Sequence, residues 1–259
     1  ECENEKELMA GLLAEISRVK GDMLKLETYY PVSCGKEVFH EIYEQYDNAL
    51  KNSRKIDFDD MILYCYELLS QREDILKAWQ NKYQYILIDE FQDINRMQYQ
   101  VIKLLAKPRD NLFVVGDDDQ SIYGFRGARP DIMLNFTKDY ENVRVITLDV
   151  NYRCQKNIVK DALRLINHNK NRFSKDIRAE SAAFEPVQIK EYPDVFEEAM
   201  DIIRQIRAYA QDGMPYREMA VLTRTNEGGR FLLGKLMESA IPFRTRDKIP
   251  SIYSHWIAK

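Results

Sequence analysis

The sequence predicts an α/β protein built on partial parallel sheets, with an additional helical subdomain. Three observations carry that reading. Short aliphatic runs recur at Tyr85-Ile86-Leu87-Ile88, Leu112-Phe113-Val114-Val115 and Val143-Arg144-Val145-Ile146-Thr147-Leu148, each of strand rather than helix length. Stretches of helical character separate them, and alternation of strand and helix favours a parallel sheet. Residues 1–56 carry helical spacing without any strand signal.

In that first region Leu8, Leu12, Ile16 and Val19 recur at helical spacing, and Val38, Ile42, Tyr43 and Tyr46 do so again. Tyr30-Pro31 and Cys34-Gly35 separate the two helices. Met61 to Leu69 reads as a helix. Asp57-Phe58-Asp59-Asp60 precedes it, with carboxylates where the helix dipole favours them. The strand at 85–88 leads to a helix over 95–106, the strand at 112–115 and a Gly/Asp-rich turn at 116–119. After the strand at 143–148, a helix over 155–168 opens a second unit, followed by a strand at 187–192, a helix at 195–210 and a strand at 219–223. Gly213 and Pro215 mark the turn before the last strand. The expected organisation is a helical subdomain over 1–56 and two α/β parts over 57–153 and 154–259.

Bulk properties narrow the function classes. Hydrophobic content of 45% with 31% charged residues describes a folded, water-soluble chain. No apolar run approaches the roughly 18 residues that span a bilayer, so no membrane partner is expected. The net charge of −4 means that any nucleic-acid contact must rest on a local surface. Cys2, Cys34, Cys65 and Cys154 form no Cys-x-x-Cys pair. Reduced thiols and a cytoplasmic location are expected rather than a zinc or disulfide framework. Glu1 stands where an initiator Met would, so the chain is expected to be an excised piece of a longer one.

Chemistry concentrates at strand ends. Asp89 and Glu90 follow the strand at 85–88, at the edge where ligands of open α/β sheets bind. A phosphate-transferring site places a Mg²⁺-holding Asp and a water-activating Glu there; a solvated acidic turn fits the same residues. The strand at 112–115 runs into Gly116-Asp117-Asp118-Asp119-Gln120-Ser121-Ile122-Tyr123-Gly124-Phe125-Arg126-Gly127-Ala128. Gln120 can hydrogen-bond both a water and a phosphate oxygen. Tyr123, Phe125 and Arg126 offer flat surfaces suited to unpaired bases, each stacked base contributing roughly 1–3 kcal/mol. A plain loop with two core aromatics fits them too. Asn151-Tyr152-Arg153 places an Arg just past the third strand, within reach of transferring phosphate charge.

In combination and in this order, the three segments resemble the UvrD/Rep/PcrA family of superfamily 1 DNA helicases. The string Gln120-Ser121-Ile122-Tyr123-Gly124-Phe125-Arg126-Gly127-Ala128 is the most specific part. Asp57-Phe58-Asp59-Asp60 and Ala220-Val221-Leu222-Thr223-Arg224-Thr225-Asn226 resemble further family segments. The resemblance implies RecA-like domains that couple ATP hydrolysis, with Mg²⁺, to 3′-to-5′ movement on single-stranded and partly duplex DNA. It implies that Asp89 holds Mg²⁺, Glu90 handles the attacking water and Gln120 senses the γ-phosphate. Arg153 would contact that phosphate and Tyr152 would stack on adenine. Tyr123, Phe125 and Arg126 would touch single-stranded DNA, with Phe58 on the same track. The family commonly has Trp at the position of Phe125, and Phe keeps the stacking face while losing the indole N–H.

A Gly-x-x-x-x-Gly-Lys-[Ser/Thr] phosphate loop is the remaining requirement. Gly229-Arg-Phe-Leu-Leu-Gly234-Lys235-Leu236 approaches it, but Leu236 stands in place of the hydroxyl and the intervening residues read as a buried helix stripe. The chain is therefore expected to be a middle piece of a helicase, lacking the phosphate loop and the C-terminal motifs, inactive alone and prone to self-association through open sheet edges. The alternative is a non-catalytic nucleic-acid-binding or regulatory module.

Overall fold

Helix α1 (Cys2–Gly21) and helix α2 (Lys36–Asn52) come first in the computed structural model, which describes residues 2–124, 127–224 and 228–245. Their apolar stripes meet. Ile16, Val19, Tyr29 and Phe39 form one buried cluster, with Leu12, Tyr43 and Tyr46 packed against it.

Helix α3 (Phe58–Gln71) starts at Phe58 rather than Met61 because Asp57 caps it. The Asp57 carboxylate accepts the Asp60 N–H at 2.7 Å, and the Asp60 carboxylate accepts the Asp57 N–H at 3.3 Å, which satisfies two donors of the first turn. The same two carboxylates receive a buried cation: the Lys20 Nζ donates to Asp57 at 2.8 Å and to Asp60 at 2.6 Å. The Tyr46 hydroxyl adds a bond to Asp57 at 3.0 Å. The Lys20 side chain is only 2% exposed, so this network joins α1, α2 and the start of α3 in a water-poor setting. Helix α4 (Glu73–Lys82) then leads into the sheet.

Strand β1 (Ile86–Ile88), helix α5 (Arg96–Ala106) and strand β2 (Leu112–Val114) form a βαβ unit with parallel pairing, Ile86 opposite Leu112 and Ile88 opposite Val114. Alternation sets the two faces of this pair. Ile88 and Val114 pack on the cluster of Phe91, Tyr99 and Ile132, while Leu87 and Phe113 stand exposed on the other face. Helix α6 (Pro130–Asp139), opened by its Pro, lays Ile132, Met133 and Phe136 over the inner face.

A second parallel βαβ unit follows: strand β3 (Val150–Gln155), helix α7 (Lys156–Ile166) and strand β4 (Arg178–Ser181). Here the structure corrects the expected third strand. Residues 143–149 form no ladder, and Val145, Ile146 and Leu148 are exposed. The ladder begins only at Val150, where β4 supplies a partner. Arg153 thus lies within a strand rather than beyond one.

These elements belong to one unit, Glu1–Glu185; Pro186–Lys259 forms the other. In the second unit, helix α8 (Val195–Gln211) and helix α9 (Arg230–Glu238) enclose Ala199, Ile203, Leu232, Leu236 and Ile241. The strands expected at 187–192 and 219–223 form no ladder among the described residues. Ile189 and Leu222 are almost fully exposed there, so apolar content without a neighbouring strand does not make a sheet. The near match to a phosphate loop falls on α9, where Leu232 and Leu236 are core residues and Lys235 pairs with Glu238 at 2.6 Å.

The expected α/β class with parallel sheets and a helical subdomain is thus the observed one. Its dependence on the buried cation can be measured. Burial opposes the charge on Lys20, but its carboxylate partners raise its pKa above the ordinary value. Burial likewise opposes ionisation of Asp57, yet hydrogen bonds from Lys20, the Asp60 N–H and Tyr46 hold its carboxyl below 3.8. Lys20→Met strands both carboxylates and is expected to cost about 3 kcal/mol at pH 7 in urea unfolding. The Asp57 contribution is present above the ordinary carboxylate range and is lost as pH falls through its depressed pKa. The gap between wild type and variant should therefore narrow in acid, and a constant gap down to pH 2 would contradict this account.

Candidate functional site

Parallel pairing brings the ends of β1 and β2 to the same edge of the sheet, and backbone hydrogen bonds extend the pairing past both strands. The Val115 N–H donates to the Ile88 carbonyl at 2.8 Å, and the Phe91 N–H to the Val115 carbonyl at 2.9 Å. Asp89 and Glu90 are exposed at this edge. The Asp89 Oδ1 accepts the Glu90 N–H at 2.9 Å. Glu90 itself has φ 51° and ψ 41°, a left-handed conformation that costs a non-Gly residue about 1–2 kcal/mol. The chain thereby turns sharply at the strand end.

Gln92 spans the two strand ends. Its side chain is 1% exposed. The amide Nε2 donates to Glu90 Oε2 at 2.8 Å, and Oε1 accepts the Asp117 N–H at 3.0 Å. The Ser121 hydroxyl donates to the Gln92 carbonyl at 3.3 Å. Gly116 is required at this crossing: a Cβ there would lie 2.7 Å from Gln92 Oε1 and 3.2 Å from the Gln92 backbone nitrogen. From Asp117 the chain of bonds continues, because the Gln120 Nε2 donates to Asp117 Oδ2 at 2.8 Å. Glu90, Gln92, Asp117 and Gln120 therefore form one hydrogen-bonded path. The sequence placed Gln92 only within the run Asp89-Glu90-Phe91-Gln92-Asp93 and gave it no role of its own.

Asp93 lies just beyond. Its Oδ1 is buried with no hydrogen-bond partner among the described residues. Burial, with the charge of Glu90 beside it, pushes its pKa up.

After Gln120 the chain makes the loop that carries Tyr123, which is 41% exposed. Phe125 and Arg126 lie outside the described residues. The loop is fastened at its far end. The Arg129 N–H donates to the Ile94 carbonyl at 3.0 Å, and its guanidinium reaches Asp131 at 2.8 Å and Asp22 at 3.2 Å. Phe58, the first residue of α3, is 87% exposed.

Tyr152 and Arg153 project from β3, and a bulge presents them. Asn151 pairs with Ala179 and Gln155 with Ser181, so three residues of β3 oppose the single Glu180 of β4. Asn151 builds the bulge itself, its Oδ1 accepting the N–H groups of Arg153 at 3.0 Å and Cys154 at 2.7 Å. Tyr152 is 75% exposed, and Arg153 forms no ion pair with any described residue.

The aspartates that follow Gly116 are held from the other side by residues beyond α7. Arg172 grips Asp119 with two bonds, Nε at 2.7 Å and Nη2 at 2.6 Å. The Lys175 ammonium contacts Asp117 at 2.5 Å, Asp119 at 3.2 Å and also Asp118. The Phe173 N–H donates to Asp118 at 2.7 Å. Hydrogen bonds led by Arg172 lower the Asp119 pKa; burial opposes ionisation of Asp117, but Lys175 and Gln120 lower its pKa overall.

Comparison with known proteins places the chain in a family. The UvrD/REP helicase N-terminal domain matches residues 3–141, and the UvrD-like helicase C-terminal domain matches residues 146–251. The putative ATP-dependent DNA helicase YjcD of Bacillus subtilis is 43% identical over 225 residues, which cover 86% of this chain and 29% of that protein. The ATP-dependent DNA helicases PcrA of Staphylococcus epidermidis and Leuconostoc citreum are 39% and 37% identical, over 85% and 90% of this chain. The chain spans about 31% of the length of either PcrA. These matches correct the expectation of a middle piece without the phosphate loop and the C-terminal motifs. The C-terminal domain is represented over 146–251 as well as the N-terminal one. That expectation rested on short signature strings, whereas the likeness extends over residues 3–141 and 146–251. No described helix is long and apolar enough to cross a membrane. With the N-terminal model alone matching more than half of its residues, the chain is a member of the UvrD/Rep helicase family.

Proposed function

We propose that this chain works as part of an ATP-dependent, 3′-to-5′ DNA helicase acting on single-stranded and partly duplex DNA. The observation that carries the reading is the path from Glu90 through Gln92 and Asp117 to Gln120. It links a water-handling carboxylate to an amide that can contact phosphate, in a loop that continues directly to Tyr123. The names of the curated relatives, ATP-dependent DNA helicases, support the same reading.

In this proposal Glu90 orients the attacking water and accepts its proton. Its left-handed backbone and its bond from Gln92 set the direction of the carboxylate. Gln120 hydrogen-bonds the γ-phosphate and transmits its presence along the loop. Arg153, without a carboxylate partner among the described residues, is left to stabilise charge on the transferring phosphate. Tyr152 offers an exposed ring to the adenine. Mg²⁺ would be held by Asp89, whose second carboxylate oxygen is not taken by the Glu90 N–H, and it would neutralise phosphate charge; such a hard cation suits carboxylate oxygen and water ligands. The stacking surface for DNA comprises Tyr123, Phe125 and Arg126, with the exposed Phe58 on the same DNA track.

Two measurements test the reading. A fluorescent single-stranded oligonucleotide titrated with the 259-residue chain should bind with an affinity that falls as salt rises. Phe125→Ala should weaken it about tenfold, as for one lost stacked base; unchanged affinity would remove Phe125 from the binding surface. ATP turnover should depend on Glu90 wherever it occurs. DNA-stimulated turnover by the wild-type chain should be lost in Glu90→Gln. Turnover that persists in that variant would remove Glu90 from the water-handling role.

A further inference from the structure

We infer that Arg172 and Lys175 are positioning residues that clamp the Asp117–Asp119 turn, and through it aim the Gln120 amide relative to the strand that bears Tyr152 and Arg153. The inference rests on the role proposed above for Gln120.

The clamp is built from charges held away from water. Arg172 and Asp119 side chains are 10% and 12% exposed, and Lys175 is 12% exposed. Three carboxylates offer oxygens within 4.8 Å of one another, a spacing that would otherwise invite a cation. The Lys175 ammonium already contacts all three. The Arg172 fork adds a fixed orientation that a single point charge cannot supply.

Asp117 relays the position. One carboxylate oxygen, Oδ1, accepts Lys175 and the Asp119 N–H; the other, Oδ2, accepts the Gln120 amide. The direction of Gln120 thus follows from where Lys175 holds Asp117.

The clamping segment is itself tied to β3 at both ends. On one side, Arg172 Nη1 donates to Asn167 at 2.8 Å, at the end of the helix that begins immediately after β3. On the other, the chain enters β4, which pairs with β3, and the Arg178 N–H donates to the Asp149 carbonyl at 2.8 Å. A displacement of Tyr152 and Arg153 relative to Gln120 must therefore strain or break the clamp.

Amide hydrogen exchange on the complete 259-residue chain tests the inference. Lys175→Met should raise exchange over residues 117–124 on the order of tenfold, the loss of roughly one charge-assisted hydrogen bond, while protection in α1 and α3 stays unchanged. Lys175→Arg should restore most of the protection. Arg172→Lys, which keeps the charge but removes the fork, should give an intermediate rise, and it decides the matter if Lys175→Met fails to fold. Unchanged exchange over 117–124 would overturn the inference. So would loosening spread evenly through residues 1–185, or no rescue by Lys175→Arg. In parallel, Lys175→Met should weaken oligonucleotide binding several-fold; equal affinity would overturn the extension of the clamp to the Tyr123 loop. If the wild-type chain binds no oligonucleotide, the proposed function falls, whereas the exchange result judges the clamp independently.

Discussion

One buried amide holds the candidate site together. Gln92 sits with its polar end between two strand ends: its Nε2 donates to Glu90 on its own side, and its Oε1 accepts the Asp117 N–H of the opposite loop. A buried amide without partners costs more than its bonds contribute when made. Gln92 therefore enforces a single arrangement: Glu90 on one side, the Asp117 backbone on the other. The constraint reaches further. Gly116 must lack a side chain for Gln92 to fit, and Glu90 must turn left-handed to meet it. Asp117, once placed, has one oxygen free to direct Gln120. The left-handed turn at Glu90 and the bare backbone at Gly116 thus both meet Gln92.

Around this centre, charged groups out of water fix the outer elements. Lys20 binds the capping box of α3 from α1. Arg129 closes the Gln120 loop onto Asp22, just past the end of that same helix. The helical region is therefore no appendage. It holds the first residue of α3, Phe58, in the open and anchors the far end of the loop bearing Tyr123. Buried ion pairs contribute little net stability compared with apolar packing, but removing one partner is costly. Their effect here is to specify geometry.

The sequence made some of this legible. Aliphatic runs located β1 and β2, because their inner residues meet a core and their composition shows it. The same signal misled at 143–148, 187–192 and 219–223. Aliphatic content reports a tendency to be extended, while a ladder needs a second strand, and none of the described residues supplies one. Strand β4 was invisible for the opposite reason: Arg178-Ala179-Glu180-Ser181 has no apolar alternation and is a strand only because β3 lies beside it. Asp89, Glu90 and Gln120 could be singled out from their places at strand ends. Gln92 could not, since its importance lies in what it touches. Arg172 and Lys175 looked like part of a polar stretch, and only tertiary folding brings them to aspartates more than fifty positions earlier.

The clamp and the amide bridge act on the turn after β2 from opposite sides. Gln92 holds the Asp117 backbone, and Lys175 holds its side chain. The Gln120 amide donates to that same side chain. A change that releases Asp117 from either side alters the aim of Gln120 without touching it, whereas a change at Gln120 leaves both supports in place. Sensitivity in this site therefore belongs to the supporting residues as much as to those facing a ligand. The Asn151 bulge repeats the principle on β3, where one carboxamide holds two backbone N–H groups so that the neighbouring Tyr152 and Arg153 project outward. In each case the group that would meet a ligand is exposed, and the group that aims it is held by hydrogen bonds, from a neighbouring loop at Asp117 and from its own strand at Asn151.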